Sequence, residues 1–163
     1  KDEKDPVLGI HSLGEAYRKG DPNYDARSTV PAIVDVTTGA VVNNDYHALT
    51  TELALGFKDF ISPDAPDIYP EELRADIDAL NVIIYADFNL AVNLAALVTN
   101  QKDYEYYYDR IFARLDWLEE RLSKQRYLMG DTITDSDIRI FPTLARFDLV
   151  FYQKYLVNKK SLV

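Results

Sequence analysis

Two short stretches contain the residue types best suited to binding a small ligand. Val30 precedes Pro31 at the start of an apolar, β-branched run, and a residue before proline is biased toward extended backbone. Asn44, Asp45 and Tyr46 follow a second such run and stand just before a helical pattern. A helix N-terminus has unpaired N–H groups and a partial positive charge, which suits a carboxylate ligand. From the residues alone, an edge-strand proline and a plain helix cap remain the alternatives.

One arginine and two histidines complete the set of side chains with an obvious chemical use. Arg27 lies just before the proline stretch, where a guanidinium suits an anionic ligand; a solvated loop charge is the alternative. His11 and His47 have no acidic or histidine partner at metal-ligand spacing, so we expect neither a metal site nor an acid–base role. The chain has no cysteine, which excludes a thiolate metal site and a thiol nucleophile within these 163 residues.

A cluster of tyrosines could line an aromatic pocket, because their rings stack and their hydroxyls orient a phenol. Its members are Tyr104, Tyr106, Tyr107 and Tyr108. The helical spacing favours another role: Tyr104 and Tyr108 share a face with later apolar residues, and we expect them in a core or interface. Trp117 points away from that face, so we expect it at the surface or in an interface.

Composition and charge narrow the class of protein. With 47% hydrophobic residues, the 163-residue chain can form one average domain or two small lobes. The net charge of -9 argues against nucleic-acid partners and against anionic membrane surfaces. The chain shows no signal-peptide pattern and no apolar run near the ~18 residues of a membrane span, so we expect a cytoplasmic protein without a membrane partner. We interpret the sequence as the middle of a longer protein, with a natural remnant as the alternative.

The elements that must position these residues fall into two groups. The first group is predicted, in order, as a helix over 8–19 that ends at Gly20, a β-hairpin of "VPAIVDV" and "AVV" joined by "TTG", and a helix over 46–57 capped by Asn44 or Asp45. The stretch 61–70 has three prolines and is the only convincing linker.

Beyond the linker the pattern is helical throughout. A helix begins at Pro70 with the apolar stripe Leu73, Ile77, Leu80, Ile84 and Phe88. A second carries the seam of an antiparallel helix pair: Tyr104, Tyr108, Ile111, Leu115, Leu118 and Leu122. A third opens with a capping box of Thr134 and Asp137 and contains Pro142, which should kink it.

Several separated stretches resemble the glutathione transferase family, and within it the glutathionyl-hydroquinone reductases, or Xi class. They include "DPNYDARSTVPAIVD", "DIYPEELRADIDALN" and "LDWLEERLSKQRYLMGDTITDSDIRIFPTLARFD". The resemblance implies an α/β plus all-α fold, with the C-terminal half of a thioredoxin-like domain over 1–60, a linker over 61–69 and the family's helical bundle over 70–163. Members of this subgroup also carry an earlier Cys-Pro segment whose thiolate is the nucleophile, and that segment would precede residue 1.

The resemblance implies a glutathione site in the first domain. Its residues would be Arg27, Ser28, Thr29, Val30, Pro31, Asp45 and Tyr46. A cis bond at Val30-Pro31 would hold the preceding backbone ready to pair with the peptide. Where the family usually has Glu-Ser to face the ammonium and carboxylate of glutathione, this chain has Asp45 with a shorter arm and Tyr46 with a more distant hydroxyl.

The resemblance also implies an acceptor pocket in the helical domain. Its lining would be Tyr85, Asn89, Asn93, Phe151 and Tyr152. Two of these positions hold tyrosines in the subgroup, one a proton donor and one that helps to lower the pKa of the thiol. Here they are Asn93 and Phe151, and neither has a phenolic proton to donate. Tyr152 is the equivalent if the register shifts by one residue.

Three hypotheses follow for function. The first is glutathione-dependent reduction of glutathionyl-hydroquinones, with glutathione as co-substrate, no metal, an aromatic acceptor, and the homodimer usual in the family. The second is a diverged member without reductase activity, which either transfers another thiol or acts as a binding or scaffolding protein. The third is a helical interaction domain on which the hairpin merely packs.

Overall fold

The computed structural model describes residues 3–162 and divides them into two compact units, with the boundary between Asp59 and Phe60. The first unit contains helix α1 (Leu13–Gly20), strands β1 (Ile33–Asp35) and β2 (Ala40–Asn43), and helix α2 (Leu49–Gly56). A 3₁₀ turn at Lys58–Phe60 spans the boundary. The second unit contains helices α3 (Arg74–Ile84), α4 (Ala91–Leu97), α5 (Gln101–Leu122) and α6 (Asp135–Arg146). This order agrees with the predicted α/β plus all-α class.

Helix α1 begins later than the sequence pattern predicted. Ser12 and Glu15 form a capping box, in which the Glu15 carboxylate accepts the N–H of Ser12 at 3.0 Å. Such a box fixes the first helical turn. Gly9 belongs to the turn before it and has a φ of +67°, which a residue with a Cβ rarely adopts. The predicted start at residue 8 was therefore wrong by one helical turn.

The predicted hairpin is present. Strands β1 and β2 pair antiparallel, with Ile33 opposite Asn43 and Asp35 opposite Ala40. Asp35 closes the turn twice: its carbonyl accepts the N–H of Gly39 at 2.7 Å, and its carboxylate accepts that of Thr37 at 2.7 Å. The hydrogen bond from Thr37 is the main reason that the pKa of Asp35 lies below its ordinary value.

Helix α2 begins at Leu49 rather than at residue 46. Asp45 caps the turn that leads into it, because its carboxylate accepts the N–H groups of His47 at 2.8 Å and Ala48 at 3.2 Å. Of the two predicted caps, Asp45 therefore takes the role.

The first long helical stretch of the second unit runs from Glu71 to Leu97 and has four parts. A 3₁₀ turn (Glu71–Leu73) leads into α3, and a π-helical segment (Tyr85–Asn89), hereafter the first π segment, joins α3 to α4. The predicted stripe lies inward, with Ile77, Ile84 and Phe88 fully buried.

By length and composition this stretch could cross a membrane, so the expectation that no segment approaches a membrane span was wrong. One such helix is weak evidence, since the core helix of a soluble protein passes the same test.

Helix α5 packs its seam against α4 and the first π segment. Asn100 caps it by accepting the N–H of Asp103 at 2.9 Å. Ile111, Leu115 and Leu118 are buried as predicted, whereas Leu122, at the end of the seam, is 41% exposed.

Helix α6 begins with the predicted capping box. Thr134 is fully buried, and its N–H and hydroxyl both donate to the Asp137 carboxylate at 2.9 Å. The helix continues through Pro142 to Arg146 and passes into a second π segment (Phe147–Tyr152). The core of this unit gathers side chains from all these helices, with Phe88, Phe112 and Phe147 among the largest that are fully buried.

Candidate functional site

The hairpin brings the two predicted binding stretches to one end. Because β1 and β2 are antiparallel and Ile33 faces Asn43, the segment before β1 and the segment after β2 emerge on the same side. The Val30-Pro31 bond is cis, as predicted, and the Val30 side chain is 80% exposed. Asp45 follows β2 at that end.

Two tyrosines that the sequence analysis did not single out hold the backbone just before the proline. The hydroxyl of Tyr17 donates to the carbonyl of Thr29 at 2.9 Å, and that of Tyr24 donates to the carbonyl of Arg27 at 2.9 Å. Their rings stack with centroids 4.6 Å apart. The backbone from 27 to 29 is thus fixed from α1 and the loop after it. No signal in the sequence indicated this role.

A surface groove of about 320 Å³ runs beside these rings and along strand β2. It reaches Asn43 and Asn44, which precede the helix cap. The groove therefore leads toward the end of the hairpin where the predicted residues lie.

The predicted anion site lies at the start of α2, where N–H groups of the first turn already donate to a side chain. Asp45 receives the N–H groups of the first turn, and its own N–H donates to the Asn43 side chain at 2.7 Å. The Tyr46 ring is 43% exposed and packs edge-on against His47, with centroids 5.6 Å apart. Arg27 is exposed. Arg27, Asp45 and Tyr46 are therefore all exposed on this unit.

In the second unit, the residues predicted to line an acceptor pocket lie on the two π segments and just beyond the first. Tyr85 and Asn89 bound the first π segment, and Asn93 lies in the first turn of α4. The Asn93 side chain donates to the carbonyl of Asn89 at 3.0 Å, and the Asn89 side chain donates to the carbonyl of Arg139 on α6 at 3.0 Å. The side-chain amides of Asn93 and Asn89 thus donate hydrogen bonds to the backbone carbonyls of Asn89 and Arg139.

The first π segment is also held by charge. Asp87, at its centre, accepts from Arg110 through one oxygen and from Arg114 through the other, the latter at 2.6 Å. Burial raises the pKa of Asp87, but the hydrogen bonds from Arg114 and Arg110 outweigh it and hold the pKa below its ordinary value. The sequence analysis missed this cluster, whose partners are more than twenty residues apart.

The second π segment separates two neighbours that the sequence left ambiguous. Phe151 is buried in the core, between the rings of Phe147 and Tyr155. Tyr152 is partly buried and packs against the edge of that core. The Phe151 ring is therefore part of the packed core of this unit.

Two further predictions concern residues outside these segments. Tyr104, Tyr107 and Tyr108 pack against the core and Tyr106 is 53% exposed. Trp117 is partly buried and lines a surface groove with Arg121. Among residues 3–162, no three histidine or carboxylate side chains come together as a possible metal site.

Comparison with known proteins finds similarity to glutathione transferases along nearly the whole chain. Residues 101–160 match the family model described as "Glutathione S-transferase, C-terminal domain". Glutathionyl-hydroquinone reductase PcpF of Sphingobium chlorophenolicum is 34% identical over 158 residues, which cover 97% of this chain and 50% of PcpF.

Solved structures agree with this. A glutathione transferase from Gordonia bronchialis superposes with a TM-score of 0.94 and 45% identity, over 98% of this chain and 50% of its own. The glutathione-bound structure of YqjG, a glutathione transferase homolog from Escherichia coli, gives a TM-score of 0.89 and 32% identity, over 96% of this chain and 51% of its own. The chain spans about half the length of the relatives it matches.

Proposed function

The chain belongs to the glutathione transferase family, close to its glutathionyl-hydroquinone reductases, and we propose that it supplies the glutathione-presenting hairpin and the acceptor wall of such a reductase. The observation that carries the proposal is the arrangement of two segments at one end of the hairpin. There the cis Val30-Pro31 segment and the Asp45 cap emerge side by side, with the backbone before the proline held by two tyrosine hydroxyls.

Glutathione fits the chemistry of this end. It is a short peptide with an α-ammonium, an α-carboxylate and backbone amides. An exposed extended strand can pair with those amides, a helix N-terminus favours the carboxylate, and the Asp45 carboxylate favours the ammonium. Arg27 adds a cation for a ligand whose net charge is negative. We assign the glutathione site to Arg27–Pro31, Asp45 and Tyr46.

The proposed reaction is the reduction of a glutathionyl-hydroquinone. A thiolate attacks the glutathione sulfur, breaks its bond to the aromatic carbon and forms a mixed disulfide, while the ring takes up a proton. A second glutathione thiolate then attacks the mixed disulfide, releases glutathione disulfide and regenerates the first thiolate. Residues 1–163 contain no cysteine, so the protein thiolate in this proposal comes from sequence outside them.

Tyr85, Asn89, Asn93 and Tyr152 are proposed to contact the acceptor. Tyr152, next to the buried Phe151, would supply a phenol if the register of this helix shifts by one residue relative to the family. We further propose that two copies of the full-length protein form a homodimer, as is usual in the family.

The test uses the full-length protein and two measurements. We expect calorimetry to show glutathione binding and expect turnover of a glutathionyl-hydroquinone to release glutathione disulfide and the free hydroquinone in equal amounts. Asp45→Asn keeps a good helix cap and removes the charge, so it should weaken glutathione binding about tenfold, as charged hydrogen bonds are the stronger ones. Asp116→Asn, at an exposed position on α5 in the second unit, is the matched control. Absence of glutathione binding would refute the proposal.

A second candidate is a family member that binds glutathione without reductase chemistry. It is favoured by the side chains at the two family tyrosine positions. Asn93 uses its amide to satisfy the Asn89 carbonyl, and Phe151 is buried. Binding of glutathione without turnover of the glutathionyl-hydroquinone would select this candidate over the first.

A further inference from the structure

The first π segment is an irregularity on which the proposed acceptor wall depends. Its i to i+5 hydrogen bond runs from the N–H of Leu90 to the carbonyl of Tyr85 at 2.8 Å. One extra residue in a helical turn rotates the side chains before it by about 100° relative to those after it. The directions of Tyr85 and Asn89 relative to α4 are therefore set by whether this segment keeps its π geometry.

A single carboxylate holds that segment against α5. Asp87 accepts from Arg110 at one oxygen and from Arg114 at the other, and the two arginines are one helical turn apart. Asp87 and Arg114 are each 17% exposed and Arg110 is 40% exposed. A carboxylate bound at both oxygens by two guanidiniums has a fixed position as well as a favourable charge environment.

Arg114 is itself held from the other side. Its guanidinium lies 4.9 Å from the centroid of the Trp117 ring, and that of Arg121 lies 5.1 Å from the same centroid. The Nε of Arg114 is buried without a hydrogen-bond partner. A buried unpaired donor costs about 1–3 kcal/mol. The Arg114 side chain is thus held with its Nε unpaired while its Nη2 donates to Asp87.

We propose that Asp87 is a positioning residue that, through Arg110 and Arg114, fixes the first π segment so that Tyr85 and Asn89 present one surface to the acceptor. This inference rests on the proposed function, because the acceptor wall is part of it. The alternative is that the cluster only fastens α5 to the preceding helices. In that case its loss lowers stability without any selective effect on the acceptor.

The experiment compares four variants of the full-length protein. Asp87→Asn keeps the shape of the side chain but removes its charge and one acceptor oxygen. Asp87→Glu keeps the charge and serves as the conservative rescue. Asp116→Asn breaks the exposed pair with Lys160 and is the matched control. Arg110→Gln releases one oxygen of Asp87 only and keeps the test decisive if Asp87→Asn folds poorly.

Three readouts separate positioning from stability. In Asp87→Asn, we expect hydrogen exchange of amides 85–93 to accelerate more than that of α6, and the KM for a glutathionyl-hydroquinone to rise about tenfold with kcat within about twofold. The emission of Trp117, taken as the difference from Trp117→Phe, should shift because Arg114 loses its partner. Arg110→Gln should show the same changes at smaller size, Asp87→Glu should restore part of the KM, and the control should change nothing.

The outcomes are distinguishable. Faster exchange with an unchanged KM overturns the inference and leaves the proposed function intact, as does an unchanged exchange pattern. If the unsubstituted protein shows no turnover, the proposed reaction is overturned. The proposed role of Asp87 in positioning residues that contact the aromatic substrate is then overturned as well. The exchange and emission measurements then still decide whether Asp87 fixes the segment.

Discussion

The side-chain amide of Asn93 donates to the backbone carbonyl of Asn89 at 3.0 Å. In a regular α-helix that carbonyl would accept the N–H of residue 93, but here this N–H donates to the carbonyl of Leu90 at 3.0 Å. The asparagine amide therefore replaces a backbone donor that the π segment has shifted away. A tyrosine at this position has no donor close enough to its own backbone to do the same. Asn93 is thus adapted to the local backbone.

Asn93→Ala should destabilise the second unit by about 0.5–1 kcal/mol, because the Asn89 carbonyl loses its donor in a partly solvated place. Thermal or urea unfolding of the full-length protein measures this. Gln101→Ala is the control, since it removes an exposed side-chain bond to Glu105 on α5 and should be nearly neutral. Equal midpoints for the two variants would show that the Asn93 bond contributes nothing.

The sequence predicted features that depend on neighbours along the chain. The hairpin and the capping box of Thr134 and Asp137 each follow from a few adjacent residues, and the structure contains both. The cis bond at Val30-Pro31, which the structure also contains, was implied by the family resemblance. The start of α1 was predicted wrongly because apolar spacing was given more weight than the Ser12 and Glu15 box, which the sequence also displays. The error therefore lay in the weight given to each signal, because the sequence also contained the correct one.

Other features have no local signal. The π segments, the clamp on Asp87 and the hydroxyls of Tyr17 and Tyr24 depend on residues brought together by the fold. Arg114 and Asp87 are 27 positions apart, and Tyr17 and Thr29 are 12 apart. Trp117 was expected at the surface or in an interface because it leaves the apolar seam, and the two arginines that lie over its ring had no signal in that seam. Helical periodicity does not register such cation–π contacts.

Tyr17→Phe should cost about 1 kcal/mol of stability and weaken glutathione binding several-fold, because the carbonyl of Thr29 loses its donor and the backbone before Pro31 is less fixed. Tyr17 is 5% exposed, so water cannot easily take the place of its hydroxyl. Tyr24→Phe is the matched variant, since its bond to the carbonyl of Arg27 is more exposed and its loss should matter less. Calorimetry with glutathione and thermal unfolding give the two values. A larger effect for Tyr24→Phe would contradict this ranking.

Asp135→Ala should be among the most damaging single changes in the second unit. The carboxylate is fully buried and accepts from Arg139 at 2.5 Å and from Asn81 at 2.8 Å. Removing one member of a buried ion pair typically costs about 3–5 kcal/mol, because the other charge is left without compensation. Asp116→Ala, which breaks an exposed pair with Lys160, should cost less than about 1 kcal/mol. Chemical unfolding compares the two, and similar losses would show that Asp135 is not the anchor that its burial indicates.

The two capping boxes differ in burial, and we expect them to contribute different amounts to the free energy of unfolding. Thr134→Ala removes a hydroxyl from a fully buried position at the start of α6 and should cost about 1–2 kcal/mol. Ser12→Ala makes the same kind of change at the exposed start of α1 and should cost about 0.5 kcal/mol. Local hydrogen exchange of each first turn would detect the difference even if the global unfolding of the units overlaps. A larger increase in first-turn exchange for Ser12→Ala than for Thr134→Ala would contradict the expected order of the two costs.

The pH dependence of stability should carry a signature of Asp87. Burial raises the pKa of this carboxyl, but the hydrogen bonds of Arg114 and Arg110 outweigh burial, and the net pKa lies below the ordinary value of 3.8. A carboxyl whose pKa is depressed by folding contributes stability that is complete above the unfolded pKa and is lost as the pH falls through the folded pKa. Between pH 6 and pH 5 the unsubstituted protein should therefore show little change from this group. Below about pH 4 its urea midpoint should fall more steeply than that of Asp87→Asn, since the amide has no charge to lose.

The Trp117 emission difference should change over the same acidic range in the unsubstituted protein and stay flat in Asp87→Asn, because protonation of Asp87 releases the guanidinium that lies over the ring. Asp116→Asn is again the control. The pKa of Asp116 is also lowered, first of all by its hydrogen bond from Lys160, but both side chains are more than half exposed and solvent screens their interaction. Its urea curve should run parallel to that of the unsubstituted protein. Parallel curves for Asp87→Asn as well would show that the two arginines do not discriminate between the charged and neutral carboxyl.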